Sequence, residues 1–458
     1  MAVRFSEDQV LKATGAHKVQ SGAVASYTSV STDTRTLTQG ALFVALQGER
    51  FDAHEFLKDA VARGAAGALV KEGRKLPPVP RDFGVFAVPD TLAGLGALAR
   101  FHRARFKIPV GAVTGSNGKT TVKEMAGAIL ATRGPALKTE GNLNNEVGVP
   151  LTLFRLEPSH VAAAIEMGMN RKGEIARLTA VAQPDAGVIT VVQPAHLEGL
   201  GSIEGVAAAK GELFHGLSPH GIAVVNLDDP LIVAQAKAAG RKQMTFGRAP
   251  NADVKLFSVA ARGREGLFLE IDHQGRRHPV KLAFVGEHNA LNAAAAFALG
   301  RALGYSAEEC VMGLQGARPH SRRLNVVAAP GGVTVLDDCY NANPASMRAA
   351  LDTLVELAKG GRAVAVLGDM LELGEGSARQ HGELGALAAE KAALLALFGP
   401  TSAQGHARAR AALGDRAAHF TEVEPLVAWL KPRLREGDVV LVKASRGMKL
   451  ERVVEALT

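Results

Sequence analysis

The sequence predicts an α/β protein of three domains. The central domain is expected to hold a doubly wound parallel sheet with a phosphate-binding loop (P-loop). A small N-terminal α/β domain and a C-terminal Rossmann-like α/β domain should flank it. The 458 residues suffice for roughly two to four domains of about 100–200 residues each. Two separate regions alternate short, continuous apolar runs with helical segments, the pattern of strands covered on both faces. The predicted domain boundaries are 1–88, 89–318 and 319–458.

The N-terminal region, residues 1–88, mixes short strands with one helix. Strands are predicted over 41–46 and 83–88, and a helix over 54–63 that Gly64 ends. This region is a small α/β unit without a nucleotide loop of its own.

The two larger regions follow a helix predicted over 91–106. In the central region, buried strands are predicted over 110–113, 161–166, 187–192 and 222–226. The helices between them indicate a parallel sheet. Beyond about residue 253, Gly-rich turns separate runs typical of antiparallel strands, at 254–260, 266–271 and 280–284. The C-terminal strands are predicted over 333–337, 363–367, 394–398 and 439–443.

The net charge of +8 suits an anionic partner, which could be nucleic acid, a membrane surface or a phosphorylated small molecule. Basic residues are scattered rather than clustered, and aromatic residues make up only 5% of the chain. Because single-stranded nucleic acid is usually bound on aromatic stacking platforms, anionic small molecules are the preferred interpretation and no nucleic-acid partner is expected.

The compartment is predicted from the cysteines and the apolar runs. Cys310 and Cys339 have no metal-type spacing and suit a reducing compartment. The N-terminus lacks the apolar core of a signal peptide. No apolar stretch approaches the roughly 20 residues that span a bilayer. We expect a cytoplasmic protein without a membrane span.

The segment Gly115-Ser-Asn-Gly-Lys-Thr-Thr121 is typical of a P-loop, because it follows an apolar strand and opens a helix over 122–130. Lys119 could neutralise the β- and γ-phosphates of a nucleotide, and the Thr120 hydroxyl could hold Mg²⁺. The loop is a shortened variant, since Val113 stands where the strict pattern has Gly. The alternative is an ordinary Gly-rich turn between strand and helix.

Two further candidate metal ligands follow neighbouring predicted strands. Glu166 ends one strand and His196 follows the next, so both should reach the edge where doubly wound sheets bind ligands. Together with Thr120 they could hold Mg²⁺. The alternatives are a solvated acid at a strand end and a structural histidine.

Lys210 lies in an apolar helical stripe with Val206, Leu213 and Leu217, on a helix that Ser202 would cap. A lysine in such a stripe is costly unless it is paired or modified. The alternative is a lysine whose ammonium reaches the solvent.

Polar residues also follow three strands of the C-terminal region and predict a second binding edge. They are Asp337, Asp338, Asn341, Asn343, Asp369, Glu372, Ser445 and Arg446. Each of them alone could be a turn residue.

With these motifs the chain resembles the Mur ligases over essentially its whole length. The matching strings include Ser31-Thr-Asp-Thr-Arg35, the P-loop, Gly141-Asn-Leu-Asn-Asn-Glu-Val-Gly148, Ala195-His-Leu-Glu-Gly199, Asp338-Cys-Tyr-Asn-Ala-Asn-Pro344 and Gly368-Asp-Met-Leu-Glu-Leu-Gly374. The segments at 141–148 and 368–374 are similar to those of the members that add D-alanyl-D-alanine. The Asp-Asn-Pro-Arg string of the members that add diaminopimelate or lysine is absent.

The resemblance implies an ATP- and Mg²⁺-dependent ligase that joins D-alanyl-D-alanine to UDP-N-acetylmuramoyl-tripeptide through an acyl-phosphate. It implies catalytic roles for Lys119, Glu166, His196 and Lys210, with Thr120, Glu166, His196 and a carbamoylated Lys210 around the metal. The nucleotide residues would be Gly115, Ser116, Asn117, Gly118, Lys119, Thr120, Thr121, Asn289, Asn292, Arg323 and Asp338. The substrate residues would be Thr34 and Arg35 at the uridine diphosphate end, and Asn142, Asn144 and Asn145 at the peptide.

The resemblance also implies a monomer. Because an acyl-phosphate hydrolyses in water, we expect the third domain to close over the second. Two alternatives stay open at this point. One is another ligase of this type, such as folylpolyglutamate synthetase, which has the same loop but does not need the N-terminal domain. The other is a nucleotide switch that binds nucleic acid.

Overall fold

The computed structural model describes residues 4–48, 51–194 and 197–458, and these residues form three separate sheets. The three-domain α/β prediction is confirmed. Among the described residues, the helices are too short or too polar to cross a lipid bilayer.

The N-terminal sheet has the strand order β1-β5-β4-β3-β2. Its elements are α1 (Glu7–Thr14), β1 (His17–Gln20), β2 (Val30–Ser31), β3 (Leu42–Val44), α2 (Leu57–Ala62), β4 (Gly67–Lys71) and β5 (Gly84–Val88). Strands β2 to β5 are parallel and β1 is antiparallel to β5. The sequence analysis predicted β3 and β5 but missed β4, which lies buried between them.

The central sheet has nine strands in the order β14-β13-β12-β11-β10-β9-β6-β8-β7. The strands are β6 (Val110–Thr114), β7 (Ala136–Lys138), β8 (Ala162–Glu166), β9 (Ala186–Ile189), β10 (Ile222–Asn226), β11 (Lys242–Gly247), β12 (Val254–Ala261), β13 (Leu267–His273) and β14 (Arg276–Leu282). The helices are α3 (Thr91–Arg103), α4 (Lys119–Leu130), α5 (Gly148–Leu153), α6 (Glu174–Ala182), α7 (Leu197–Leu200), α8 (Ile203–Gly216), α9 (Pro230–Ala239), α10 (His288–Ala302) and α11 (Ala307–Gly316).

Strand β12 joins the parallel and antiparallel parts of this sheet. It pairs in parallel with β11 on one side and antiparallel with β13 on the other. The sequence analysis predicted the antiparallel pairing of β12 but not its parallel pairing with β11. Strand β9 is shorter than predicted, because residues 191 and 192 leave the sheet and run beside the P-loop: the Ser116 amide donates to the Val191 carbonyl at 2.8 Å.

The chain order reverses beside β6, which has β8 on one side and β9 on the other. Such a switch point opens a crevice at the carboxyl ends of the strands. One face of the sheet packs on a core with α3, α6 and α8, and the other on a core with α4, α10 and α11. Both faces are therefore covered, as the apolar strands predicted.

The C-terminal sheet has the order β15-β16-β20-β17-β18-β19, in which only β15 is antiparallel. The strands are β15 (Asn325–Ala329), β16 (Val333–Asp338), β17 (Ala363–Gly368), β18 (Leu394–Phe398), β19 (Ala417–Phe420) and β20 (Val439–Lys443). The helices are α12 (Pro344–Leu357), α13 (Ser377–Lys391), α14 (Ala403–Leu413), α15 (Val423–Leu430) and α16 (Glu451–Leu457). The domain boundaries at 88/89 and 318/319 stay predictions.

Candidate active site

The P-loop connects β6 to α4 at the switch point of the central sheet. Two of its residues must be glycine, since Gly115 has φ 151° and Gly118 has φ 82°. A Cβ at Gly115 would lie 1.9 Å from Thr190 Oγ1, and one at Gly118 would lie 2.5 Å from Asn292 Oδ1. The loop is held from outside by Ser116 Oγ, which donates to the Gln193 carbonyl at 2.9 Å. These contacts fix a narrow loop at the amino end of α4, where backbone N–H groups can bind phosphate.

Lys119 is the first residue of α4, and its ammonium lies against the loop. Nζ donates to the Gly115 carbonyl at 2.8 Å and to the Ser116 carbonyl at 3.4 Å. Burial lowers the pKa of Lys119; Glu166 opposes this shift and Arg323 adds to it. The two predicted catalytic residues Lys119 and Glu166 therefore lie within electrostatic reach of each other.

Glu166 ends β8 and is 2% exposed. Its Oε1 accepts a hydrogen bond from Asn144 Nδ2 at 2.8 Å. Among the described residues, Oε2 has no hydrogen-bond donor, and Lys123 Nζ lies 3.9 Å away. A buried carboxylate oxygen without a donor is costly to leave unpaired and is suited to hold a cation.

Thr120 is buried, and its hydroxyl accepts a hydrogen bond from Arg323 Nη2 at 3.1 Å. Arg323 comes from the segment before β15 and lies 4.1 Å above the Tyr340 ring. A residue predicted to bind nucleotide therefore reaches the P-loop from the C-terminal domain.

Lys210 lies on α8, which Ser202 caps as the sequence predicts. It is 2% exposed, between the buried residues Val206 and Leu213. Burial, and after it the charge of Lys119, lower the pKa of Lys210 well below the usual value of 10.5. An amine in these surroundings is favoured in its neutral form.

The predicted ligand His196 lies outside the described residues. Within them, no group of three His, Cys, Asp or Glu side chains is gathered as a metal site. A metal set built on Glu166 therefore has to draw on a hydroxyl, on His196 or on a modified lysine, and it stays a prediction.

The predicted nucleotide residues from both domains line one cavity of about 230 Å³. They are Asn117, Gly118, Thr121, Asn289, Asn292, Arg323 and Asp338. On α10, Asn289 Nδ2 donates to the Val285 carbonyl at 2.7 Å, and Asn292 Nδ2 donates to Asn289 Oδ1 at 2.8 Å. At the end of β16, Asp338 Oδ2 accepts from Lys443 Nζ at 2.6 Å.

A smaller cavity of about 50 Å³ adjoins the P-loop. Three cations line it, namely Lys119, Arg323 and Lys443, together with Ser116, Gly118 and Thr120. Three cations around a small hole between the two domains form an environment for phosphate groups.

The predicted peptide-binding segment meets Glu166 through Asn144. Asn145 Oδ1 accepts from the Val147 and Gly148 amides at 3.2 and 2.8 Å, and the Asn142 carbonyl accepts from the Asn144 amide at 2.7 Å. These contacts turn the chain sharply beside the carboxyl end of β8.

Thr34 and Arg35 lie in a short turn of the N-terminal domain, and they line neither of the two cavities. The Arg35 side chain is 83% exposed and makes a two-pronged ion pair with Asp33, with a shortest distance of 2.7 Å. The Arg35 side chain is thus exposed to solvent and accessible to a ligand.

Sequence reasoning missed three polar residues of the site. Thr190 closes against the P-loop, Lys443 holds Asp338, and Lys123 lies beside Glu166. Lys123 carried a usable signal, because it follows Lys119 by four residues and so lies on the same helix face. Of the C-terminal acids, Asp369 serves the fold, since its carboxylate accepts from the Thr401 and Ser402 amides at 3.1 and 2.7 Å.

Known protein families match both larger regions of the chain. The profile of the Mur ligase middle domain matches residues 113–300, and that of the Mur ligase glutamate ligase domain matches residues 322–446. The UDP-N-acetylmuramoyl-tripeptide–D-alanyl-D-alanine ligase of Bacillus subtilis (strain 168) is 39% identical, over 93% of this chain and 92% of its own length. The enzyme of that name from Escherichia coli (strain K12) is 40% identical, over 95% of both.

Solved structures agree in fold. A crystal structure of MurF from Acinetobacter baumannii superposes with a TM-score of 0.91 at 32% identity, covering 100% of this chain and 99% of that one. A structure of MurF ligase from Thermotoga maritima in complex with ADP has a TM-score of 0.82 at 30% identity, covering 93% and 96%. The similarity therefore includes all three sheets.

Proposed function

This chain belongs to the Mur ligase family, and we propose that it is an ATP-dependent, ADP-forming ligase that joins D-alanyl-D-alanine to UDP-N-acetylmuramoyl-tripeptide. The product would be a peptidoglycan precursor. The observation that carries the proposal is that Lys119, within electrostatic reach of Glu166, shares with Arg323 a cavity that two domains line. The family resemblance inferred from the motifs is confirmed by the matches over the full chain.

The proposed reaction makes an amide in two steps. The terminal carboxylate of the tripeptide attacks the γ-phosphorus of ATP, which gives an acyl-phosphate and releases ADP. The amine of D-alanyl-D-alanine then attacks the acyl carbon and phosphate leaves with the former carboxylate oxygen. A carboxylate alone is a poor acyl donor, because oxide is a poor leaving group, and most of the catalysis is positioning and charge neutralisation.

The nucleotide is proposed to lie across the two cavities. The adenosine part would fit the larger cavity beside Asn289, Asn292 and Asp338, and the phosphates would fit the smaller one. Lys119 and the loop amides offset the charge of the phosphates. Arg323 and Lys443 bring two further cationic groups from the other domain, so the phosphate site is complete only when the domains are close together.

Magnesium fits the residues at this edge. The Thr120 hydroxyl and the unpaired Glu166 Oε2 are oxygen ligands of the type that Mg²⁺ prefers, and His196 would complete the set. Bound Mg²⁺ would supply positive charge to the transferring phosphoryl group. Lys210, as a buried amine whose pKa is lowered, is suited to become a carbamate that holds a second metal ion.

The substrate-binding assignments complete the proposal. The uridine diphosphate end is assigned to Thr34 and Arg35, because the guanidinium is exposed and pairs with anions. The peptide is assigned to Asn142, Asn144 and Asn145, which lie next to Glu166. The enzyme is proposed to act in the cytoplasm as a monomer, in keeping with two buried free thiols.

The decisive measurement is ADP and amide formation from ATP, Mg²⁺, UDP-N-acetylmuramoyl-tripeptide and D-alanyl-D-alanine. We expect one ADP for each amide, with both substrates required. Lys119→Met should lower the rate by roughly a thousandfold, since it removes the cation at the phosphates. The exposed Lys138→Met is the matched control and should keep its activity. ADP formation without the dipeptide at the full rate, or ligation of glutamate to a folate in its place, would contradict the proposal.

A further inference from the structure

Lys123 is a fully buried cation that the proposed reaction leaves without a role. It lies on α4, one turn after Lys119, and its side chain has 0% exposure. Burying an ammonium group is costly unless opposite charges and hydrogen-bond acceptors surround it. The side chain is therefore held at this position by specific partners.

These partners come from three different elements. Lys123 Nζ donates to the Thr139 carbonyl at 2.8 Å, just after β7. It lies 3.0 Å from Glu124 Oε1 on its own helix and 3.9 Å from Glu166 Oε2 at the end of β8. The ammonium thus connects the P-loop helix to the two strands that carry the metal-binding edge.

Thr139 links Lys123 to the Glu166 backbone through two hydrogen bonds. It is fully buried, and its hydroxyl accepts from the Glu166 amide at 2.9 Å while its carbonyl accepts from Lys123. The chain then runs from Thr139 into the segment whose Asn144 holds Glu166 Oε1. The contacts of Glu166 with Asn144, Thr139 and Lys123 therefore all involve Lys123 or the segment that Lys123 holds.

The charges around Lys123 are balanced. Glu124 also pairs with Lys138, which is 46% exposed, so two lysines face two glutamates. Lys123 lines neither of the two cavities of the site, and its ammonium is not placed to touch the nucleotide.

We propose that Lys123 is a positioning residue of the magnesium site, which aims the Glu166 carboxylate and anchors the start of the asparagine segment 140–145. The inference rests on the proposed function, in which Glu166 is a metal ligand. A neutral side chain of this length cannot satisfy the Thr139 carbonyl and both carboxylates together, so a lysine is needed. Residues behind metal ligands commonly tune metal affinity about 10–100-fold.

The competing interpretation is a buried ion pair with Glu124 that serves stability alone. The double variant Lys123→Met with Glu124→Gln separates the two. It removes both members of the pair, so neither is left as an uncompensated buried charge, and the net charge stays that of the wild type. The contacts of Lys123 to Thr139 and Glu166 are lost, together with the ion pair of Glu124 and Lys138.

The experiment measures ADP binding by calorimetry over a range of Mg²⁺ concentrations, which needs no turnover. We expect the half-saturating Mg²⁺ concentration to rise about tenfold in the double variant. ADP binding without metal should stay within about twofold, because Lys123 does not touch the nucleotide cavity. The melting temperature should fall less in the double variant than in Lys123→Met alone, because the single variant also leaves Glu124 without its buried partner.

Two controls make the outcome decisive. Lys138→Met removes the other cation on Glu124 and should leave the Mg²⁺ dependence unchanged. Lys123→Gln keeps a donor for the Thr139 carbonyl and should give an intermediate shift, and it also serves if the Met variants do not fold. An unchanged or tighter Mg²⁺ dependence in the double variant would overturn the role of Lys123 alone. A wild-type enzyme whose ADP binding ignores Mg²⁺ would overturn the proposed metal site together with it.

Discussion

At the site Lys123 and Lys210 are buried and Lys119 is half-buried, and each of the three meets the cost of leaving water in a different way. Lys119 folds onto the carbonyls of the P-loop, and Lys123 is surrounded by two carboxylates and a carbonyl. Lys210 instead has its pKa lowered well below the usual range, chiefly by burial. One residue type therefore meets desolvation through carbonyl acceptors, through paired carboxylates or through a lowered pKa, and the surroundings decide which.

The lowered pKa of Lys210 leads to a prediction about bicarbonate. An amine reacts with CO₂ to give a carbamate and a proton, so the adduct is favoured above the folded-state pKa and is lost as the pH falls through it. Because this pKa is lowered, the adduct should form near neutral pH, where an exposed lysine stays protonated. We expect activity to fall when CO₂ is removed from the buffer and to return when bicarbonate is added.

Native mass spectrometry measures this adduct directly. The wild type should gain the mass of one CO₂ with bicarbonate, and Lys210→Met should not. That variant should lose roughly a hundredfold or more in rate at every bicarbonate concentration. Full wild-type activity in CO₂-free buffer, with no adduct in the mass spectrum, would show that Lys210 acts unmodified.

At the scale of single elements, the site is built from the carboxyl ends of neighbouring strands and the amino end of one helix. β6 carries the P-loop, β8 ends in Glu166, and the chain after β9 holds the loop from the side. Helix α4 begins at Lys119, so its first backbone amides face the phosphate site. Any change that shifts α4 should therefore alter nucleotide binding.

The far end of α4 is held by α11, and this contact depends on pH. Arg133 donates to Glu309 Oε1 and Oε2 at 2.7 Å each, and Glu309 also completes the capping box of Ser306. The Arg133 side chain and the Ser306 amide lower the pKa of Glu309 from 4.5 to about 2. A lowered acid pKa contributes stability above the unfolded value of 4.5, and this contribution is lost as the pH falls toward 2.

Glu309→Gln should therefore destabilise the protein at neutral pH by roughly 0.2–1 kcal/mol, the range of a surface ion pair. Denaturant unfolding at a series of pH values measures the difference, which should shrink as the pH is lowered below 4.5. Glu308→Gln, on the same helix turn, removes a carboxylate that faces Arg276 at 3.9 Å and not Arg133, so it shows whether the effect is specific to the Arg133 pair. A difference that stays constant down to the lowest pH would contradict the assignment to this ion pair.

At the scale of the whole molecule, two contacts join the C-terminal domain to the P-loop. Arg323 reaches Thr120, and Asn343 makes a two-way amide pair with Asn117, at 2.8 Å in one direction and 3.3 Å in the other. Asn343 also caps α12 through Ser346. The cleft is thus closed by polar contacts that a nucleotide can rearrange, and an acyl-phosphate needs such closure because water would hydrolyse it.

Asn343→Ser should loosen this closure while keeping a good cap for α12. Serine is too short to reach Asn117, so we expect more water at the acyl-phosphate and roughly twofold or more ADP for each amide formed. The ratio of ADP to amide and the melting temperature measure the effect. Asp90→Ser, the same kind of cap exchange at α3, is the control. A one-to-one ratio in Asn343→Ser would argue that Asn343 only caps its helix.

The sequence by itself determined the features that depend on local chemistry. The P-loop, the strand that Glu166 ends and the Ser202 cap follow from short runs of residues, because phosphate loops, buried strands and helix caps each need certain residue types at fixed spacing. The long motifs also identified the family. Short elements such as β4 were not predicted, since a run of five residues carries only a weak periodic pattern.

Only the tertiary structure decided which distant residues meet. Lys123 beside Glu166, Lys443 on Asp338 and Asn343 on Asn117 join positions that are 43 to 226 residues apart. No local pattern encodes such pairs, because strand order, helix rotation and domain orientation bring them together only when the whole chain is packed. The role of His196 as a metal ligand stays a prediction from the sequence.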